Sequence, residues 1–118
     1  MNNRLNKLDC TFHSGSEDYV FSGPHNELKL TASEQATTVI TTYVLMTSGC
    51  YIDGGFVTLN NNDVTLIYTS WDNGTISFEQ YSCEITFAIA TASLPLKPKY
   101  TLVNNHESRT SDDEFLSL

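Results

Sequence analysis

The chain has 118 residues, with fourteen acids against six bases and a formal net charge of −8. That length suffices for one domain, 1–118, with its own core, and the charge excludes the basic footprint that binding nucleic acid through phosphates requires. No run of residues is apolar for long enough to span a bilayer, so no membrane span is expected.

Residues 1–6 are polar. The opening MNNRLNKLDC carries charge but no apolar stretch of the kind a signal peptide needs. Two settings follow: a native start in the cytoplasm, or a start that replaces a removed leader. The Thr- and Asn-rich, Lys-poor composition favours an extracytoplasmic or secreted protein, with the cytoplasm as the alternative.

Lys7 to His13 alternates through Leu8, Cys10 and Phe12 and is predicted to be the first strand. Ser14-Gly15-Ser16 is expected to turn, and Asp18 to Ser22 to form a short strand that Gly23-Pro24 closes. Glu27 to Ala32 alternates again, placing Leu28 and Leu30 inward and Lys29 outward. Ala36 to Met46 is β-branched nearly throughout, with apolar residues on both faces, which suits a central strand. Cys50 to Asp53 and Phe56 to Leu59 are strand segments separated at Gly54-Gly55 by an expected bulge. Asn60-Asn61-Asn62-Asp63 is a turn.

Asp63 to Thr91 is the stretch that organises the expected fold. Asn73-Gly74 predicts a two-residue type I′ hairpin, which needs positive φ at both positions. That register would set Asp72 against Thr75, Trp71 against Ile76, Thr69 against Phe78 and Ile67 against Gln80. The apolar phase shifts near Gln80, from Ile76 and Phe78 to Tyr81, Cys83, Ile85, Phe87 and Ile89. A bulge there, or a strand that leaves one sheet for another, is expected. Ala92 to Pro98 is a connection and Lys99 to Val103 the last strand. From Asn104 the chain turns polar and acidic and is expected to be a flexible tail, so the folded core is placed at residues 7–103.

Eight or nine short strands with regular turn signals and no amphipathic helix predict an all-β fold, a single antiparallel β-sandwich. Tyr81-Ser82-Cys83 resembles the immunoglobulin pattern, in which a tyrosine stands two residues before the second cysteine, with Cys10 upstream as the first. The resemblance implies an immunoglobulin-like sandwich. It departs at the tryptophan: none follows Cys10, and the one in the chain is Trp71. Read from the residues, the three cysteines are either buried thiols or supply one cross-sheet disulfide, Cys50–Cys83 or Cys10–Cys83, with Cys83 the common partner.

Chemistry-bearing motifs are few. His13, His25 and His106 stand apart, no CxxC exists, and no GxSxG elbow accompanies a histidine. Asp53, Asp63, Asp72, Glu79 and Glu84 are scattered over turns and outward strand positions, unlike a convergent carboxylate pair. Asn60–Asp63 and Asp112-Asp113-Glu114 offer oxygen atoms to calcium but lack the spacing of an EF-hand loop. No catalytic residue, metal or cofactor is assigned. Trp71, Tyr68, Tyr51 and Phe56 form a candidate aromatic platform for a protein or, less well supported, a carbohydrate. The competing role for Trp71 is to cap the core against Ile67, Ile76 and Phe78. Phe115, Leu116 and Leu118 join Trp71 and Tyr68 as candidate partner contacts.

One feature breaks a rule. Between Leu30 and Leu96 there is no Lys or Arg, although soluble sheet proteins commonly guard their edge strands with lysine. Exposed edges are expected within Ala36–Leu59 or Lys99–Val103, with Thr42 and Thr58 pointing outward. The function expected is a non-catalytic protein-interaction or assembly module of the surface, coat or adhesive kind, acting through sheet edges or the tail. The alternative is a small acidic inhibitor or immunity-type protein that covers a basic site on a toxin or nuclease.

Overall fold

The computed structural model describes residues 6–17, 20–32, 36–47, 49–74 and 79–108. They hold eight strands: β1 (Asn6–Leu8), β2 (Cys10–Glu17), β3 (Lys29–Ala32), β4 (Thr37–Thr47), β5 (Cys50–Asn60), β6 (Asp63–Asp72), β7 (Gln80–Ala90) and β8 (Lys99–Ser108). A single 3-10 turn, Thr91–Ser93, follows β7. The strands form two four-stranded sheets, ordered β1-β5-β6-β8 and β2-β7-β4-β3, an all-β arrangement consistent with a β-sandwich. Pairing is antiparallel except between β6 and β8, which run parallel, a departure from the all-antiparallel expectation.

The expected Asn-Gly hairpin does not form. β6 already has β5 on one side and β8 on the other, so β7 has no free edge of β6 to pair with. Ile67 lies opposite Phe56 and Val103, and Gln80 lies opposite Thr47. Asn73-Gly74 instead begins the connection between β6 and β7, which belong to different sheets. Gly74 has φ 83° and is the single position of the pair with positive φ. Its N–H donates to Asp72 Oδ1 at 3.0 Å, an Asx-type turn, while the Asn73 N–H donates to the Gly49 carbonyl at 3.1 Å. Thr75, Ile76 and Phe78 lie outside the described residues. The tight hairpin is the one between β5 and β6, where Asn61 takes φ 57° between the paired Asn60 and Asp63.

The first predicted strand is two. β1 and β2 belong to different sheets and the chain switches between them at Asp9. Ser14-Gly15-Ser16 lies within β2, because β7 offers a full run of partners from Ile89 to Ser82. Residues 20–22 form no strand, and Asp18 and Tyr19 lie outside the described residues. The bulge at Gly54-Gly55 is present as a register shift between Ile52 and Gly55. β8 continues five residues beyond Val103 to Ser108, so Asn104–Ser108 is strand where a tail was expected.

Alternation decides what is buried. Ile40, Val44 and Met46 of β4 and Cys83, Ile85, Phe87 and Ile89 of β7 face Val57 of β5 and Val64, Leu66 and Tyr68 of β6 across the interior. Burying each large aliphatic or aromatic side chain contributes roughly 1.5–3 kcal/mol. Phe12 joins them edge-on to Phe87, with centroids 5.0 Å apart. Its ring also fills the space over Gly55, where a Cβ would stand 2.5 Å from Phe12 Cδ1. The β1–β2 side of the sandwich is closed by this packing. Leu30, expected inside, is 47% exposed because β3 is the outermost strand of its sheet.

Candidate functional site

Register places the side chains of the β5-β6-β8 sheet in rows across its outer face. Tyr51 of β5 lies opposite Trp71 of β6, which lies opposite Glu107 of β8. The neighbouring row holds Asp53 at the bulge, Thr69 and Asn105; the next holds Phe56, Ile67 and Val103. The Tyr51 and Trp71 rings touch at 4.7 Å between centroids with a 32° tilt, and Tyr51 is 46% exposed. Asp53, Asn105 and Glu107 are exposed around them. At the far end Lys7 of β1 sets its ammonium 5.1 Å from the Phe56 ring centroid. Trp71 therefore packs on Tyr51 on the outer face of the sheet; Ile76 and Phe78, its expected partners in a core cap, lie outside the described residues.

Tyr68 separates from that group. It is 6% exposed and points between the sheets, because its parity along β6 is that of Leu66 and Ser70. There it lines a groove of about 440 Å³ with Asn26, Leu28, Tyr100, Leu102 and Asn104. This groove lies on the side of the sandwich opposite the β1–β2 closure. Burial, and more weakly Cys83, pushes the Tyr68 hydroxyl above its ordinary value; burial alone does so for Tyr100. Phe115, Leu116 and Leu118 lie outside the described residues, as do Asp112, Asp113 and Glu114.

Next to the groove, a polar chain ties β8 to β6. Ser70 Oγ donates to Asn104 Oδ1 at 2.7 Å and lies 2.8 Å from His106 Nδ1; His106 Nε2 lies 2.8 Å from Asp72 Oδ2. The imidazole of His106 thus stands between Ser70 of β6 on one ring nitrogen and the Asp72 carboxylate on the other. Serine, histidine and aspartate in line also make up an acyl-transfer triad. Here Ser70 is 1% exposed and its hydroxyl is already engaged, so a substrate carbonyl has no approach to it. Sequence reasoning missed this cluster because His106 was assigned to the tail. Its spacing from Ser70 becomes meaningful only once β8 is known to run parallel to β6.

β8 is the edge of its sheet. It pairs with β6 along all ten residues, and no described strand lies on its other side. From Tyr100 to Asn105 it carries no charged residue. Within Ala36–Leu59 the strands are covered only in part: β3 pairs with Thr38–Thr41 of β4 and β1 with Val57–Leu59 of β5, so Thr42–Thr47 and Cys50–Phe56 have no described strand on that side. Thr42 points inward beside Ile40 and Val44, whereas Thr58 shares the outer face with Phe56 but is covered there.

The cysteines are all free. Cys10 lies opposite Ile89 and Cys83 opposite Ser16 in the same sheet, about 20 Å apart along the strands at the usual rise per residue. Cys50 is in the other sheet, its Sγ 3.2 Å from Thr47 Oγ1. The Tyr81 hydroxyl donates to the Cys50 carbonyl across the sheets. Among the described residues no three His, Cys, Asp or Glu gather where they could hold a metal, and no helix is long and apolar enough to cross a membrane. Comparison of the chain with protein-family models, with curated proteins and with solved structures gives no match.

Proposed function

We propose that the protein is a non-catalytic interaction or assembly module that pairs through the free edge of β8. The observation that carries this is a ten-residue edge strand with six consecutive uncharged positions, Tyr100 to Asn105. Such an edge presents a row of backbone N–H and C=O groups to any strand that approaches, and lysine is the usual means of preventing it. Among the other outer strands, β1 and β3 are short, and β2, eight residues long, is the second long edge.

The test is size against concentration. Sedimentation of the full chain should show reversible association, and Val103→Lys, at an exposed position in the middle of β8, should shift the population to monomer. A wild type that stays monomeric at high concentration and gains no strand-mediated partner overturns edge pairing. The acidic-inhibitor alternative draws on the net charge of −8, and would show as a monomer whose partner is basic and whose association slows with added salt.

The proposal includes an immunoglobulin-like architecture. It rests on the two-sheet arrangement and on Tyr81 preceding Cys83, without the inter-sheet cysteine pair. An extracytoplasmic setting rests on composition alone, and three free thiols suit the cytoplasm at least as well.

A further inference from the structure

We infer that the groove on the β8 side of the sandwich binds a neutral saccharide, whose pyranose units lie between the β6-β8 wall and Asn26 and Leu28. This site goes beyond the interaction-module reading and does not require pairing at β8. Two phenols, Tyr68 and Tyr100, line the groove, and neither hydroxyl bonds another described residue. Tyr68 is 6% exposed. Its oxygen is not sealed in the way that Thr42 Oγ1 is, so the groove reaches it. A buried hydroxyl without a partner costs free energy, and a ligand group that meets it recovers that cost.

The lining selects the chemistry of the occupant. Asn104 Oδ1 already accepts from Ser70, which leaves the two phenols and the Asn26 amide to meet a ligand, with Leu28 and Leu102 as apolar walls. No charged side chain among the described residues lines the groove, so an ion entering it would lose hydration without a counter-charge. A wholly apolar molecule would strip water from the phenols and replace nothing. A pyranose meets both demands, with C–H groups for the leucines and hydroxyls around its rim for the tyrosines. Burial holds both phenols above their ordinary 10.0, so they stay neutral donors near pH 7. Along β8 the lining runs from Tyr100, opposite Val64, to Asn104, opposite Tyr68, about 13 Å at the usual rise per residue. The far wall is fixed where the Asn26 N–H donates to the Tyr43 carbonyl at 2.8 Å. A volume of about 440 Å³ lies within the range of small-molecule sites.

The test is a titration of the isotope-labelled full chain, followed by backbone amide shifts. The probes are the methyl glycosides of glucose, galactose, mannose and N-acetylglucosamine, together with maltose and cellobiose, each at millimolar concentration. At least one should shift the amides of Leu28, Tyr100 and Leu102 saturably. Tyr68→Phe and Tyr100→Phe should each weaken that binding about three- to tenfold, the loss of one hydrogen bond. Tyr68→Phe should leave the urea midpoint no lower, because its hydroxyl bonds nothing described within the fold; this separates a ligand contact from a structural one. Tyr51→Phe removes the same atom from the outer face and should leave binding unchanged. Amides that respond to none of these sugars, binding that survives both groove substitutions, or shifts produced by benzene and by no sugar overturn the inference. A monomeric chain that binds a sugar removes edge assembly and keeps this site. An assembling chain that ignores every sugar does the reverse.

Discussion

Thr42 is the one described residue whose side chain is buried without a hydrogen-bond partner: it is 3% exposed, and its Oγ1 is unsatisfied. The flanking inward residues of β4 are Ile40 and Val44, so a hydroxyl stands in an apolar row. Removing it while keeping the shape should help, and Thr42→Val is expected to raise stability by about 1 kcal/mol, read as a higher urea midpoint at unchanged slope. Burial also sets a pH limit. It pushes the thiols of Cys10 and Cys83 above their ordinary 9.0, and the hydroxyls of Tyr68, Tyr81 and Tyr100 above 10.0. The unfolded chain then sheds these protons before the folded chain does. Stability should therefore be flat below pH 9 with respect to these groups and fall as pH rises beyond it. A urea midpoint that does not move between pH 8.5 and 10.5 would contradict the burial of these side chains.

At the scale of elements, Gly55 shows how one residue positions a strand crossing. A Cβ there would meet the Phe12 ring at 2.5 Å and the Ile67 carbonyl oxygen at 3.0 Å. Gly55→Ala should cost about 1–3 kcal/mol, as overpacking in a filled interior does, and circular dichroism melts would register the loss. The bulge at this site was legible in the sequence because paired glycines break a strand pattern. So were the bounds of β4 and most inward positions, since period-2 alternation reports directly on burial. Partner choice was not legible. Asn73-Gly74 satisfies a hairpin rule that depends on local φ alone, but β5 and β8 compete for β6 and leave β7 to the other sheet. The same blindness hid the Ser70–Asn104–His106–Asp72 chain and the edge status of β8, both products of a parallel pairing between residues more than thirty positions apart. The Tyr51–Trp71–Glu107 row needed the β6–β8 register too, although its aromatic members could be singled out from sequence.

The whole molecule is asymmetric from side to side. On the β1–β2 side the chain passes from one sheet to the other at Asp9, and Phe12 closes on Gly55. On the β8 side the sheets are bridged by Leu28 and Asn26 around a groove, and β8 is fastened to β6 by its ladder and the Ser70–His106–Asp72 chain. Stability should follow that asymmetry. Amides of β7, paired with β2 and β4 and packed on the core, should exchange only by global unfolding, whereas β8 should open locally at lower free energy. Concentration turns this gradient into a test of how the edge is used. If a second copy pairs with β8, alternate amides from Tyr100 to Asn105, those not bonded to β6, should be fast in dilute solution and slow in concentrated solution. The amides of β8 bonded to β6 should change less. Protection of those outward amides that is high and independent of concentration would mean that the edge is already covered within the monomer, and would remove the surface on which assembly depends. Fast exchange at every concentration would show an edge that stays open, and would equally remove assembly through β8.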